Sequence, residues 1–118
     1  MKKILLVEDN SMNRELIKDV LETFQFKVVC AEDGFEALLF VEKSEFDLVL
    51  VDLNLPKMSG VEFALKIKAG SYKCGKLIAL TANEYSEVSD KIQGAFDGYI
   101  HKPFQINDFR NKIYELIQ

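Results

Sequence analysis

Residues 46–60 read FDLVLVDLNLPKMSG, an apolar run that ends in an acid. Residues 48–51 are all aliphatic, which predicts a strand with both faces buried. Such strands are typical of parallel sheets that carry helices on both sides. Asp52 follows before any turn residue, although an uncompensated charge is costly at the end of a buried strand. The place of Asp52 therefore indicates a function for its carboxylate.

The rest of the chain alternates short apolar runs with longer stretches of helical period. The predicted strands are 4–7, 27–31, 48–53, 77–80 and 99–100. Apolar residues at three- and four-residue spacing predict five helices, whose stripes lie in 16–24, 37–41, 61–67, 88–92 and 109–117. Strand–helix units joined by right-handed crossovers predict an α/β fold, a doubly wound parallel sheet. We expect one domain over residues 1–118 and no output domain.

The composition narrows the class of protein. A net charge of −4 over 118 residues argues against binding to nucleic acid or to an anionic membrane. No apolar stretch in the sequence is long enough to cross a bilayer. The cysteines, Cys30 and Cys74, are too few for a disulfide scaffold or a zinc site. We therefore expect reduced thiols and a cytoplasmic protein.

Polar residues stand at the ends of four predicted strands. They are Glu8 and Asp9 after the first strand, Asp52 on the third, Thr81 after the fourth and Lys102 after the fifth. The carboxyl ends of parallel strands share one edge of the sheet, where ligands bind in such folds. We therefore expect three carboxylates, a hydroxyl and an ammonium to converge there. Like charges so close together raise one another's pKa values unless a cation relieves them.

This set of groups suits Mg²⁺-dependent phosphoryl transfer. Oxygen ligands with room for water suit Mg²⁺, which is a hard cation. The carboxylate of Asp52 can act as a nucleophile and form an aspartyl phosphate. A metal ion and a lysine can neutralise the oxygens of the transferred group. A threonine hydroxyl can donate a hydrogen bond to one of them.

The motifs VEDN, VDLNLPKMSG, ALTA and YIHKPF follow one another at successive strand ends. In this order and spacing they resemble the motifs of response-regulator receiver domains, which act in two-component signalling. Each motif alone is weak, but together they cover essentially the whole chain. The resemblance implies a flavodoxin-like fold, a five-stranded parallel sheet of order 2-1-3-4-5 with five helices.

The resemblance also implies a role for each matching residue. Asp52 matches the phospho-acceptor, and Lys102 matches the lysine that pairs first with the acceptor and then with the phosphoryl group. Glu8 and Asp9 match the acidic pair that binds Mg²⁺ directly or through water. Asp52 and the backbone carbonyl of Asn54 would complete the metal site.

Two further positions match the conformational switch of the family. Thr81 matches the switch hydroxyl, and Tyr99 matches the aromatic residue that moves between exposed and buried positions. An ordinary strand threonine and an ordinary edge-strand aromatic remain the alternatives. The resemblance also implies a cis peptide bond between Lys102 and Pro103, an isomer that X-Pro bonds tolerate well.

The function implied by the resemblance is a phosphorylation-controlled signalling switch, not an enzyme with a separate substrate. A histidine kinase or a histidine phosphotransfer protein would donate the phosphoryl group, in a two-component system or a phosphorelay. It would dock on the first helix, around Asn13, Arg14 and Lys18. Phosphorylation would alter the face formed by the fourth helix, fifth strand and fifth helix, which binds a downstream protein. A phosphorylation-dependent dimer is compatible with this scheme.

Some residues depart from the family pattern or invite other roles. Receivers usually read Ala-Gly before the fifth strand, and the order Gly94-Ala95 predicts a shifted or strained end of the fourth helix. His101 points to the opposite face from its neighbour at 102, which favours a solvated histidine over a phosphohistidine or a metal ligand. Phe104 and Phe109 are candidates for a partner surface beside the last helix.

Two other classes of protein fit parts of the sequence. A binding module that has lost phosphorylation would keep the fold, but the full set of acids, threonine and lysine argues against it. A flavin protein of this architecture would bind its phosphate after the first strand, where Glu8 and Asp9 would repel it. An aspartate-nucleophile phosphatase would carry its nucleophile on the first strand, with a second aspartate two residues on, which VEDN lacks.

Overall fold

A computed structural model describes residues 1–53, 55–81 and 94–117. The strands are β1 (Lys3–Val7), β2 (Lys27–Ala31), β3 (Leu48–Asp52), β4 (Lys76–Thr81) and β5 (Gly98–His101). The helices are α1 (Ser11–Thr23), α2 (Gly34–Lys43), α3 (Gly60–Ala69) and a C-terminal helix (Ile106–Ile117). All five predicted strands are present, and their ends differ from the predicted ends by at most one residue.

The strands form one parallel sheet in the order β2-β1-β3-β4-β5. This order confirms the predicted flavodoxin-like, doubly wound topology, in which the chain changes winding direction between β1 and β3. Four helices lie in the described part of the chain, one fewer than predicted. The apolar stripe of the predicted fourth helix, at 88–92, lies outside the described residues, so this helix stays a prediction.

Side chains alternate along the strands and fill two cores, one on each face of the sheet. Leu5 of β1 and Phe63 of α3 belong to one core, which lies beneath α2 and α3. Ile4 of β1 and Phe109 belong to the other, which lies beneath α1 and the C-terminal helix. Because both faces are covered, β1, β3 and β4 are apolar along their length, apart from Lys3 and Lys76 at their beginnings and the polar residues at their carboxyl ends.

Two aspartates hold the beginnings of neighbouring strands together. The carboxylate of Asp47, before β3, accepts the Lys3 N–H at 2.8 Å, and the Asp47 N–H donates to the Lys3 carbonyl at 2.8 Å. Asp97, before β5, makes the same reciprocal pair with Leu77 of β4, at 2.7 Å in each direction. These pairs fix the strand register at the amino edge of the sheet, opposite the polar residues.

The reversed Gly94-Ala95 order does not produce the predicted strain at the described residues. Both residues are helical, and the Ala95 methyl group is buried in the core. Among described residues with a side chain, positive φ occurs at Gln25 and Lys57 and not at Ala95. None of the described helices is both long enough and apolar enough to span a lipid bilayer.

Gly60 begins α3 directly against the end of β3, and its lack of a side chain makes this contact possible. A Cβ at residue 60 would lie 2.7 Å from the Asp52 carbonyl oxygen and 3.0 Å from the Leu53 Cα. Both are backbone atoms, which cannot move aside as a flexible side chain can. We expect Gly60→Ala to lower the free energy of unfolding by about 1–3 kcal/mol. Urea unfolding followed by far-UV circular dichroism measures this change.

Gly94→Ala is the matched control. A Cβ at residue 94 would meet no described atom within 4 Å, and the residue is helical. Alanine favours a helix over glycine, so this variant should keep its stability or gain up to about 1 kcal/mol. Equal unfolding free energies for the two variants would contradict the close contact of α3 with β3.

Candidate functional site

The structure brings the predicted polar residues together at the carboxyl edge of the sheet. Glu8 and Asp9 directly follow β1, Asp52 is the last residue of β3, and Thr81 is the last residue of β4. Lys102 directly follows β5. Because β1, β3, β4 and β5 are successive neighbours in the sheet, their ends place these side chains next to one another.

The ammonium group of Lys102 joins two of the acids. Its Nζ donates to Oε1 of Glu8 and to Oδ2 of Asp52, each at 3.1 Å. The side chains are 22%, 1% and 12% exposed for Lys102, Glu8 and Asp52, so water screens this contact only weakly. Charge-assisted hydrogen bonds are strong where little water reaches them. The contact therefore ties the ends of β1, β3 and β5 to one another.

Glu8 carries its carboxylate in an unfavourable place. Burial, followed by a hydrogen bond with Asp52 and the charge of Asp52, raises the pKa of Glu8 above its ordinary value of 4.5, although Lys102 lowers it. Its other oxygen, Oε2, accepts the backbone N–H of Asn10 at 3.3 Å. For Lys102, burial lowers the pKa, but the contacts with Asp52 and Glu8 outweigh burial and raise it above 10.5. A further cation would therefore favour the charged form of Glu8.

The three acids form an all-oxygen set that fits a divalent cation. One carboxylate oxygen from each of Glu8, Asp9 and Asp52 lies within 4.8 Å of the others. Asp9 is exposed, which leaves space for the water ligands that Mg²⁺ usually keeps. The set has no sulfur or nitrogen ligand, so it suits Mg²⁺ better than a softer metal. Asn54, whose carbonyl is the fourth predicted ligand, lies outside the described residues.

The local structure explains how each end of the site is held. Asn10 caps α1, since its Oδ1 accepts the Asn13 N–H at 2.9 Å. The preceding acids are therefore not needed as helix caps. At the other end, the Lys102 N–H donates to the Thr81 carbonyl at 2.7 Å. The bond from Lys102 to Pro103 is cis, the isomer that the resemblance implies.

Arg14 does not face solvent on α1, so its predicted place on the docking face is wrong. Its side chain is only 14% exposed and turns toward the loop that precedes the helix. Nη1 donates to the backbone carbonyls of Glu8 at 3.0 Å and Asp9 at 3.3 Å. One signal in the sequence could have revealed this contact. A cation in the first turns of a helix is disfavoured by the helix dipole and needs a partner nearby.

The two predicted switch residues lie on the neighbouring strands β4 and β5. Thr81 is 5% exposed at the end of β4. Tyr99 lies on β5, the edge strand, and its hydroxyl oxygen is buried. The Tyr99 ring lies 6.2 Å, centroid to centroid, from the ring of Phe96.

The aromatic residues after β5 divide between core and surface. Phe109 is 1% exposed, so the prediction that it forms a partner surface is wrong. Phe104 is half-buried and stacks on Phe109, with ring centroids 4.3 Å apart and an angle of 12° between the rings. His101 is exposed, as predicted.

Known proteins resemble this chain in both sequence and structure. The family model described as the response regulator receiver domain matches residues 4–114. The polar-differentiation response regulator DivK of Brucella anthropi is 32% identical over 110 residues, which span 92% of this chain and 89% of DivK.

Two solved structures are similar over the whole length. One is the receiver domain of a sensor histidine kinase from Pseudomonas aeruginosa, with a magnesium ion coordinated in the active-site cleft. It has a TM-score of 0.90 at 30% identity, over 98% of this chain and 97% of that chain. The other is the response regulator TrrA of Thermotoga maritima in complex with Mg²⁺–BeF. It has a TM-score of 0.87 at 36% identity, over 98% of this chain and 99% of that chain.

The family match runs through every strand whose end contributes to the site, from Glu8 and Asp9 to Lys102. The similarity to DivK covers nearly the same length, and it supports the same family from a single relative. The chain therefore belongs to the response regulator receiver domain family.

Proposed function

We propose that this domain is a phosphorylation-controlled switch that accepts a phosphoryl group on Asp52 from a phosphohistidine donor. The observation that carries the proposal is the position of the Lys102 ammonium, 3.1 Å from both Asp52 and Glu8. A lysine held against the acceptor can follow the negative charge from the carboxylate to a transferred phosphoryl group. Its own phosphoryl transfer and slow autodephosphorylation are the only reactions that we expect the domain to catalyse.

In the proposed step, a carboxylate oxygen of Asp52 attacks the phosphorus atom of the donor phosphohistidine. An O–P bond forms while the N–P bond breaks, and the imidazole nitrogen leaves with the electron pair and takes up a proton. Lys102, already oriented by two carboxylates, then donates to an oxygen of the transferred group. Thr81, at the end of the next strand, is the proposed hydroxyl donor to another of these oxygens.

Mg²⁺ is the proposed cofactor of this transfer. Glu8, Asp9 and Asp52 would hold the ion, directly or through water, together with the backbone carbonyl of Asn54. When bound, Mg²⁺ neutralises charge on the oxygens of the phosphoryl group. The proposal is supported by the all-oxygen donor set and by the magnesium in the Pseudomonas and Thermotoga structures.

A histidine kinase or a histidine phosphotransfer protein is the proposed donor, and it would dock beside α1. Met12 and Leu16 are apolar residues on successive turns of α1, and they are 81% and 63% exposed. Leu16 also lines a groove with Pro103 and Phe104, next to Lys102. An amphipathic helix that carries the donor histidine can pack its apolar face into such a groove. These apolar residues take the docking role that the sequence had suggested for Arg14.

The output of the switch is proposed to be the face that includes β5 and the C-terminal helix. Negative charge added at residue 52 would attract the Thr81 hydroxyl and alter the space open to Tyr99. Tyr99, Phe104 and Lys112 line one groove on this face. A downstream protein, or a second copy of the domain, is the proposed reader. The fourth helix, the remaining part of the predicted face, lies outside the described residues.

One prediction concerns the phospho-acceptor. Incubation with Mg²⁺ and acetyl phosphate should add one phosphoryl group to the wild-type chain, detected by intact-protein mass spectrometry. Asp52→Asn should abolish this addition because an amide is a poor nucleophile. Asp19→Asn, which removes an exposed carboxylate on α1, is the control and should be labelled like the wild type. Continued labelling of Asp52→Asn would overturn the assignment of the acceptor.

Another prediction concerns Glu8 and the dependence of stability on pH in metal-free buffer. Because its pKa is raised in the folded chain, the folded state keeps a proton that the unfolded state loses near pH 4.5. Stability therefore falls as pH rises from that value through the raised pKa. Lys102 adds no slope here, because its stabilising effect is fully present below pH 10.5. As pH rises above 4.5, the unfolding free energy of the wild type should fall relative to that of Glu8→Gln.

Urea unfolding at a series of pH values tests this prediction. Glu15→Gln, which changes an exposed acid of α1 in the same way, should follow the wild-type slope. Added Mg²⁺ should stabilise the wild type at neutral pH more than it stabilises Glu8→Gln, since the ion binds the charged carboxylate. Parallel pH curves for wild type and Glu8→Gln would show that burial does not perturb this acid.

A further inference from the structure

Arg14 contacts the backbone of the acidic turn and not its carboxylates. One nitrogen, Nη1, donates to the carbonyls of both Glu8 and Asp9, at 3.0 Å and 3.3 Å. The other, Nη2, lies 3.6 Å from Oε1 of Glu32, a residue just after β2. The guanidinium thus connects α1, the turn after β1 and the loop after β2. The two carbonyls belong to the residues whose side chains are proposed to hold Mg²⁺.

The position of the Arg14 side chain costs free energy, which its hydrogen bonds have to offset. It lies in the first turns of α1, where the helix dipole opposes a positive charge. Only 14% of its side chain is exposed, so the arginine has lost most of its hydration and its rotamer freedom. Glu32 compensates little, because its own side chain is 68% exposed and such ion pairs are weak. The hydrogen bonds to the two carbonyls are the main compensation.

We infer that Arg14 is a positioning residue for the metal site. It fixes the turn between β1 and α1 so that the Glu8 and Asp9 carboxylates both face Asp52. The inference rests on the proposed Mg²⁺-dependent phosphorylation of Asp52. Arg14 acts only through the backbone of the turn, as residues behind a metal ligand commonly do.

Electrostatics and positioning make opposite predictions for the loss of Arg14. A positive charge near a cation site repels the cation, so removing that charge would by itself tighten Mg²⁺ binding. Removing the hydrogen bonds lets the turn move. The affinity for Mg²⁺ would then fall, because the Glu8 and Asp9 carboxylates would have to be ordered when the ion binds. We expect positioning to dominate, because the loss of a partner behind a metal ligand typically weakens metal binding by about tenfold or more.

The test measures Mg²⁺ affinity by isothermal titration calorimetry, since the chain has no tryptophan to report binding. Arg14→Met should bind Mg²⁺ about tenfold more weakly than the wild type. Arg14→Lys should lie between them, because one ammonium cannot replace the planar guanidinium fork. Lys18→Met removes the same charge from the next turn of α1, so it is the matched control and should stay within about twofold of the wild type.

Amide hydrogen exchange in the metal-free protein gives a second, independent measurement. Asn10 and Asn13 donate their N–H groups to Glu8 Oε2 and Asn10 Oδ1 within the turn. These two amides should exchange faster in Arg14→Met and Arg14→Lys than in the wild type. Their exchange rates should be unchanged in Lys18→Met. A purely global loss of stability would instead speed exchange throughout the sheet.

The outcomes separate the two proposals. Wild-type or tighter Mg²⁺ binding by Arg14→Met, with unchanged exchange at Asn10 and Asn13, would overturn the role of Arg14 alone. Absence of Mg²⁺ binding by the wild type would contradict the proposed function, and the exchange rates would then decide whether Arg14 orders the turn. If Arg14→Met does not fold, Arg14→Lys provides both measurements. Equal loss of affinity in Lys18→Met would also contradict the inference.

Discussion

Three carboxylates lie close together at the end of an apolar sheet, and the rest of this domain is arranged around the need to offset their charge. Lys102 meets part of it, with Nζ at 3.1 Å from both Glu8 and Asp52. A buried ion pair of this kind rarely adds net stability, because desolvation of the charges offsets their attraction. Lys102 contributes one positive charge against three carboxylates, so negative charge remains in excess at this edge. The proposed metal binding and phosphoryl transfer therefore account for this group of charges better than the stability of the fold does.

The topology makes this concentration of charge possible. Parallel strands place all their carboxyl ends on one edge, and the order β2-β1-β3-β4-β5 puts the two acid-bearing strands at the centre. The amino edge holds the register, through the reciprocal pairs of Asp47 with Lys3 and Asp97 with Leu77. Strand register is thus set at the edge that has no part in the site. At the carboxyl edge, residue 60 has to be a glycine because α3 begins in contact with the Asp52 backbone.

The sequence predicted the strands and the converging acids because both depend on local or topological rules. Apolar runs define buried strands, and parallel pairing then brings Glu8, Asp52 and Lys102 together whatever their rotamers. Side-chain direction follows no such rule. Arg14 on α1 and Phe109 on the C-terminal helix both turn inward, although the sequence allowed each to face a partner. Whether a helical residue turns inward depends on the loop or core beside it, which only the folded chain supplies.

The two cations near the acids act in physically different ways. Lys102 binds carboxylate oxygens, so it would give up part of its contact if a metal ion or a phosphoryl group bound to those oxygens. Arg14 binds the carbonyl oxygens of Glu8 and Asp9 and leaves their carboxylates available. A lysine suits the first task because its flexible point charge can follow a moving charge, whereas the rigid fork of arginine suits the second. The proposed reaction would therefore use Lys102 as a cation that moves with the charge and Arg14 as one that keeps the metal ligands in place.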